Sequence, residues 1–323
     1  MKLRRRRLLK LAAGAALLPA MPYVARAQVY PARPVRLLIG LPAGGTIDVI
    51  GRIVGQWLSE HMGQPFVIEN KVGAGGNLGA EALVNAAPDG YTLFVATAAN
   101  AVNATLFEKL SYDFVNDVAP IGPLSRIPNV LEVTPSFAAK TVPELIAMAK
   151  SKPLTIATPS TGTPPFMAAE LFKMMAGVNI VHVPYRAEAQ MVSDVMGGQV
   201  QVAFGGISAS MGQIKAQTLR AIAIGTAERL KELPDLPTVA ESVPGFEAVG
   251  WCGMVAPKKT PAEIIDKMHG AITAALDDQK TRQRFADLGV SGFTQSPADF
   301  GTFIADETVK WGKVVKFAGL KPE

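Results

Sequence analysis

The stretch Val35-Arg36-Leu37-Leu38-Ile39-Gly40-Leu41-Pro42-Ala43-Gly44-Gly45-Thr46-Ile47-Asp48 decides the fold. A five-residue apolar run with strand character ends on a loop of glycine, proline and alanine, and the chain then opens at once into a helix. From Thr46 to Met62 the apolar residues Ile50, Ile53, Val54, Trp57 and Leu58 recur at helical spacing. Strand, small-residue loop and helix in this order form the elementary unit of an α/β protein.

The same grammar continues on both sides. Phe66-Val67-Ile68 is a second strand, followed by Gly73-Ala74-Gly75-Gly76 and a helix through Leu78, Ala82 and Leu83. Pro88-Asp89-Gly90 turns the chain into a strand from Tyr91 to Ala96. It restarts with strands at 154–157, 180–185, 200–204 and 219–224, and with helices at 167–175 and 188–196. The final third reads as helices at 261–276, 281–288 and 297 to about 317. Alternating strands and helices predict a mainly parallel sheet covered on both faces, in two α/β units without a sequence repeat between them.

Composition narrows the function. Of 323 residues, 49% are hydrophobic and 18% charged, which suits a packed core and excludes a disordered chain. The net charge of +5 belongs to the start of the chain, where Lys2, Arg4, Arg5, Arg6, Arg7, Lys10 and Arg26 stand without an acidic residue. Removing those seven from 32 basic residues leaves 25 against 27 acidic ones, so the body gives no support for binding nucleic acid. The cationic start, the apolar run from Leu11 to Ala20 and Ala25-Arg26-Ala27 before Gln28 read as an export signal over residues 1–27. Arg5-Arg6-Arg7-Leu8-Leu9-Lys10 resembles a twin-arginine signal, with an ordinary Sec leader as the alternative. Cleavage after about Ala27 would release a periplasmic chain.

Residues with chemistry of their own are sparse. Cys252 is the single cysteine and reads as a small buried hydrophobe, and His61, His182 and His269 lack metal-ligand spacing. Neither a metal nor a cofactor is expected. Gly73-x-Gly75-x-x-x-Gly79 has its third glycine one place late for a dinucleotide site. Pro159-Ser160-Thr161-Gly162 resembles part of a nucleophile elbow, which would need a histidine base after it, and His269 lies in an amphipathic helical stretch. What remains is a set of donor-rich loops. Gly45 to Asp48 opens a helix, whose free N–H groups and positive dipole end favour an anion. Gly73 to Gly76 and Thr158 to Thr163 add further donors, at the strand ends where open α/β sheets bind ligands.

At these loops the chain resembles the Bug-type periplasmic solute-binding receptors of tripartite tricarboxylate transporters. The matching stretches run in order from Tyr30-Pro31-Ala32-Arg33-Pro34-Val35-Arg36 and Leu41-Pro42-Ala43-Gly44-Gly45-Thr46-Ile47-Asp48 to Glu69-Asn70-Lys71-Val72-Gly73-Ala74-Gly75-Gly76-Asn77-Leu78-Gly79 and Pro88-Asp89-Gly90-Tyr91-Thr92-Leu93. They continue through His182-Val183-Pro184-Tyr185-Arg186, then 233–241, Pro244-Gly245-Phe246-Glu247 and Ala256-Pro257-x-x-Thr260-Pro261.

The resemblance implies an α/β type II periplasmic-binding-protein fold, two lobes joined by crossing strands with a ligand cleft between them. One lobe is expected at 28–126 and 250–323, the other at 127–249. It implies a monomer that captures a small organic carboxylate and hands it to membrane permease subunits. Carried onto this sequence, the ligand-binding positions are Gly44, Gly45, Thr46, Asp48, Ala74 and Gly75, with Ser160, Thr161, Gly162 and Tyr185 opposite and Thr97 and Asn100 as weaker members. Gly45→Val is expected to damage binding more than removal of Lys71, through crowding of the ligand and any positive φ, whereas Asp48→Ala is expected to be milder for folding but to weaken binding if it orients ligand or water. Departures fall in the second lobe: Pro165-Phe166 stands where the family often has His-Leu, Ala187 where Gly is common, and Gly205 where Asp or Asn is common. They are expected to reshape the pocket floor and remove a polar group, with Phe166 available to pack on a bulkier acid. Two other functions compete with transport: a periplasmic sensor binding the same ligand, and a secreted hydrolase using Ser160.

Overall fold

The computed structural model describes residues 30–107 and 109–321, so the expected export signal falls outside the described residues. Nine strands carry the fold: β1 (Val35–Ile39), β2 (Phe66–Asn70), β3 (Thr92–Thr97), β4 (Val118–Val133), β5 (Leu154–Pro159), β6 (Ile180–Tyr185), β7 (Val202–Gly206), β8 (Arg220–Ile224) and β9 (Val249–Pro257). The helices are α1 (Thr46–Met62), α2 (Asn77–Val84), α3 (Ala98–Leu106), α4 (Val142–Ser151), α5 (Pro164–Ala176), α6 (Glu188–Met196), α7 (Ile207–Lys215), α8 (Ala262–Asp277), α9 (Gln279–Asp287) and α10 (Pro297–Ala318). One-turn 3-10 helices stand at Ala74–Gly76 and Val239–Glu241.

The sheet runs β2-β1-β3-β9-β4-β7-β5-β6, with β8 on the other side of β4. Around the long β4 it divides into two halves of one design, β2-β1-β3-β9-β4 and β6-β5-β7-β4-β8. β4 changes partners part-way along: Val118 to Pro128 pair with β9, whereas Asn129 to Val133 pair with β7 and β8. The expected α/β class is found, but the sheet is mixed rather than mainly parallel. β1 pairs parallel with β2 and β3, and β5 with β6 and β7, while every pairing of β4 and β9 is antiparallel. Pro120, Pro123 and Pro128 conceal β4 in the sequence. The strand accommodates two of them at register shifts, between Pro120 and Gly122 and between Pro123 and Ser125.

Both faces are buried, as a parallel core demands. Val35, Leu37 and Ile39 of β1 join α1 and α8 in one apolar cluster, while Leu38 points into the other with α2, α3 and α10. In the second half Ala157 and Ala203 face α6, and Ile156 and Phe204 face α4 and α5. α10 ties the crossing strand down. Trp251 of β9 and Trp311 of α10 both donate their indole N–H to the Glu307 carboxylate, at 2.9 and 2.8 Å. Cys252 is fully buried in β9, where burial pushes its thiol pKa up to about 12. Among the described residues no helix is long and apolar enough to cross a membrane.

Candidate functional site

The loops after β1, β3, β5 and β7 converge where the two halves meet, on a cavity of about 150 Å³. The first half contributes Leu41, Thr46, Ile47, Thr97 and Ala99. The second contributes Asn129, Pro164, Pro165, Glu188, Gly206 and Ser208, and Ile127, Gly250 and Trp251 lie on the crossing strands. The halves also approach directly, with Thr46 Oγ1 3.5 Å from Ser208 Oγ. A larger depression of about 660 Å³ is lined by residues 135–236 of the second half alone, so closure of the halves cannot act on it.

The α1 end is a donor surface. No side chain caps its N-terminus. Its first intrahelical bond of the kind that closes a turn is Val49 N–H to Gly45 C=O, at 3.0 Å, which leaves the N–H groups of Thr46, Ile47 and Asp48 without an intrahelical acceptor. Thr46 and Ile47 line the cavity. The loop leading there is clamped from behind. Asp48, 2% exposed, accepts from Gly44 N–H at 2.8 Å, from Arg52 Nε at 2.8 Å and Nη2 at 3.0 Å, and from Asn70 Nδ2 at 2.9 Å. The same Asn70 Nδ2 reaches Leu41 C=O at 3.0 Å, so both ends of the loop are fixed by one polar cluster. Burial by itself would raise the Asp48 pKa. The bonds from Arg52, Gly44 and Asn70 outweigh it and hold the carboxyl at about 2. The Asp48 carboxylate is thus engaged by protein groups, and its removal is expected to loosen the loop. Arg52 and Asn70 were not among the expected site residues. Asn70 at the end of β2 was the available signal.

Gly45 has no positive φ for a side chain to disfavour: its φ is −76°, and an added Cβ would meet Pro42 O at an ordinary 3.6 Å. Gly44, at φ +83°, is the left-handed residue of the loop. Gly44→Val is expected to cost about 1–2 kcal/mol of stability, while Gly45→Val unfolds near the parent midpoint. Urea denaturation checks this, and equal midpoints for the two variants would count against the assignment.

Behind the first-half loops, Ala74, Gly75 and Gly76 all have positive φ, at 47°, 63° and 96°. Thr97 and Asn100 form the capping box of α3, with Asn100 Oδ1 accepting from Thr97 N–H at 2.9 Å. Asn100 is 2% exposed, and its Nδ2 has no hydrogen-bond partner among the described residues. It lies behind Gly76, 3.8 Å from where a Cβ would stand there. A buried amide donor without an acceptor calls for a bound polar group.

The second half differs more from expectation. Ser160 is exposed and Gly162 packs towards Leu106, and neither lines the cavity, nor does Thr161. The Tyr185 hydroxyl donates to Asp194 at 2.9 Å, outside the cavity. Phe166 is buried and stacked on His182 at 4.4 Å, so it is turned into the core and does not offer its ring to a ligand. Pro164 and Pro165 face the cavity instead. Gly205 does not leave the floor apolar. An added Cβ there would stand 3.6 Å from Glu132 Oε2, and one at Gly206 would stand 3.5 Å from both Glu188 oxygens. The small residues make room for two carboxyl groups, and Glu188 lines the cavity. No imidazole bonds the Ser160 hydroxyl: His61 meets Trp57 C=O, His182 bridges Thr158 and Glu170, and His269 meets Ile121 C=O. Among the described residues no group of three or more His, Cys, Asp or Glu is placed to hold a metal.

A mixed sheet in two like halves, exchanging strands and meeting at a small cleft, defines a binding protein of the periplasmic type. The family model described as tripartite tricarboxylate transporter family receptor matches residues 50–320, and the chain belongs to that family. Protein BugT of Bordetella pertussis (strain Tohama I) is 33% identical over 300 residues, covering 91% of this chain and 92% of its own. Among solved structures, R. palustris Rpa4515 with adipate is 34% identical with a TM-score of 0.78, covering 91% of this chain and 100% of that one. MatC from Rhodopseudomonas palustris with bound malate is 29% identical with a TM-score of 0.75, covering 88% and 100%. The type II fold and the receptor class expected from the motifs are therefore established.

Proposed function

We propose that this chain is an exported, monomeric periplasmic receptor without catalytic activity. It captures a small organic carboxylate between the two halves and presents it to the permease subunits of a tripartite transporter. The observation that carries this reading is the uncapped N-terminus of α1, whose free N–H groups at Thr46 and Ile47 border a cavity shared by both halves. Asn100 Nδ2 and the loop at Ala74 and Gly75 supply further donors around the same anion, and Gly44, Gly45 and Asp48 shape the loop that presents them. Ser160, Thr161, Gly162 and Tyr185 do not line the cavity, and a role for them in closure is proposed in place of direct contact. The adipate and malate of the two solved relatives support the ligand class.

The lobes are proposed to be 28–126 with 250–323, and 127–249. The change of β4 partners at Pro128 and Asn129 supports this division. Ligand contacts from both lobes would select the closed form. Small-angle scattering is expected to give a smaller radius of gyration once a bound carboxylate, identified by mass spectrometry of gently purified protein, is added back to saturation. An unchanged radius at full occupancy would oppose closure, and calorimetry showing no affinity for any carboxylate would oppose the receptor reading.

A further inference from the structure

The two ends of the cavity have opposite polarity. The α1 end offers donors. Three helices of the second half, α5, α6 and α7, begin at the same space, and α6 begins with Glu188 itself. α5 begins with Pro164 and Pro165, both on the cavity wall and both without an N–H. α7 begins after Gly206, and Glu188 Oε1 accepts the Gly206 N–H at 3.2 Å. Glu188 thereby places a carboxylate where a second anionic group would otherwise sit.

Glu188 is the only ionisable residue lining the cavity among the described residues, and no cation pairs with it there. Among the described residues its one hydrogen bond is that accepted by Oε1 from Gly206 N–H. A second carboxyl backs it. Glu132 is fully buried on β4, takes a hydrogen bond from Ser210 on one oxygen, and leaves Oε2 without a partner. Burial raises the pKa of both groups, and Glu132, the more deeply buried, retains its proton to about 8. Of the two carboxyl groups only Glu188 lines the cavity, with Glu132 behind it.

We propose that the ligand of this cleft is a small monocarboxylate whose far end carries a hydrogen-bond-donating nitrogen, best a cationic one, received by Glu188. The proposal rests on the receptor reading above and specifies its ligand. The carboxylate lies at the α1 end, and the nitrogen end lies against Glu188 Oε2. A dicarboxylate in the same pose would set its second carboxylate against the Glu188 carboxyl, with no cationic side chain among the residues lining the cavity to receive it.

Calorimetry with end-group sets of matched length tests this: ε-aminocaproate, adipic acid monoamide, caproate and adipate, with the corresponding four-carbon and benzoate sets. In at least one set the amine is expected to bind at least tenfold more tightly than the dicarboxylate, with the amide between them. Glu188→Gln should erase the advantage of the amine over the matched caproate-type acid. Glu188→Ala serves as a second variant, and thermal melting shows that each is folded. A dicarboxylate that binds as tightly as the matched amine, or an amine preference unchanged in both folded variants, overturns the proposal and leaves the receptor reading standing. Failure of every acid in every set overturns both.

Discussion

Asp48→Ala is expected to lower stability by about 1–3 kcal/mol and carboxylate affinity by at least tenfold. The side chain is buried and receives four hydrogen bonds, from Gly44, Asn70 and twice from Arg52. Removal leaves the Gly44 N–H and the Asn70 amide without their acceptor. Arg52 is half exposed and can turn to water, which keeps the loss below that of a fully buried ion pair. The loss of affinity follows because the loop carries the N-terminus of α1 into the cavity. The pH dependence gives a second readout. A carboxyl at about 2 in the folded chain, against an ordinary 3.8, contributes stability that is present above about pH 4 and is lost as pH falls towards 2. By linkage the full difference is about 2 kcal/mol. Urea unfolding of parent and variant between pH 2 and 6 should therefore show curves that converge at the acid end. Parallel curves, or unchanged affinity in the variant, would mean that the loop keeps its shape without Asp48.

Glu132→Gln is expected to act in the opposite direction and to stabilise the protein at high pH. Burial is the main cause that raises the Glu132 carboxyl from 4.5 to about 8; the hydrogen bond from Ser210 opposes it and the nearby Glu188 adds to it. Between these values the folded chain holds a proton that the unfolded chain releases, so stability falls as pH rises from about 4.5 to 8 and levels off beyond. Gln keeps the Ser210 contact and cannot ionise. The variant should match the parent near pH 4 and exceed it by roughly 2–4 kcal/mol at pH 8. Unfolding midpoints from pH 4 to 9 decide the matter, and a constant offset between the two proteins would contradict the buried carboxyl. The same variant leaves Glu188 at the cavity and so separates the stability cost of the pair from its proposed part in ligand selection.

The elements with strong local signals were legible. Thr46–Met62 and Glu188–Met196 form helices over the residues that the apolar spacing predicts. β4 and β9 were not legible, because a strand with three prolines lacks a local strand pattern and takes its place only through antiparallel partners distant in the chain. α3, at Ala98–Leu106, was missed for a related reason: its small and polar residues form a helix through the Thr97–Asn100 capping box and packing against α10.

The site divides in the same way. The glycine-rich loop before α1 declares an anion end by sequence alone, since a helix N-terminus presents free N–H groups wherever it is folded. The distinction between Gly44 and Gly45, and the engagement of Asp48 by Arg52 and Asn70, required coordinates, because φ and hydrogen-bond partners belong to the loop's packing on β2. The second half was read least well. Phe166 and Pro165 are neighbours, but the register of α5 turns the aromatic ring to His182 and the proline to the cavity. Glu132 and Glu188 are 56 positions apart, and only the pairing of β4 with β7 and the start of α6 bring both carboxyl groups to Gly205 and Gly206. Sequence determined the α/β units, the donor loop and the family. Tertiary structure decided what faces that loop across the cleft, because local pattern specifies what an element is and long-range packing specifies what it meets.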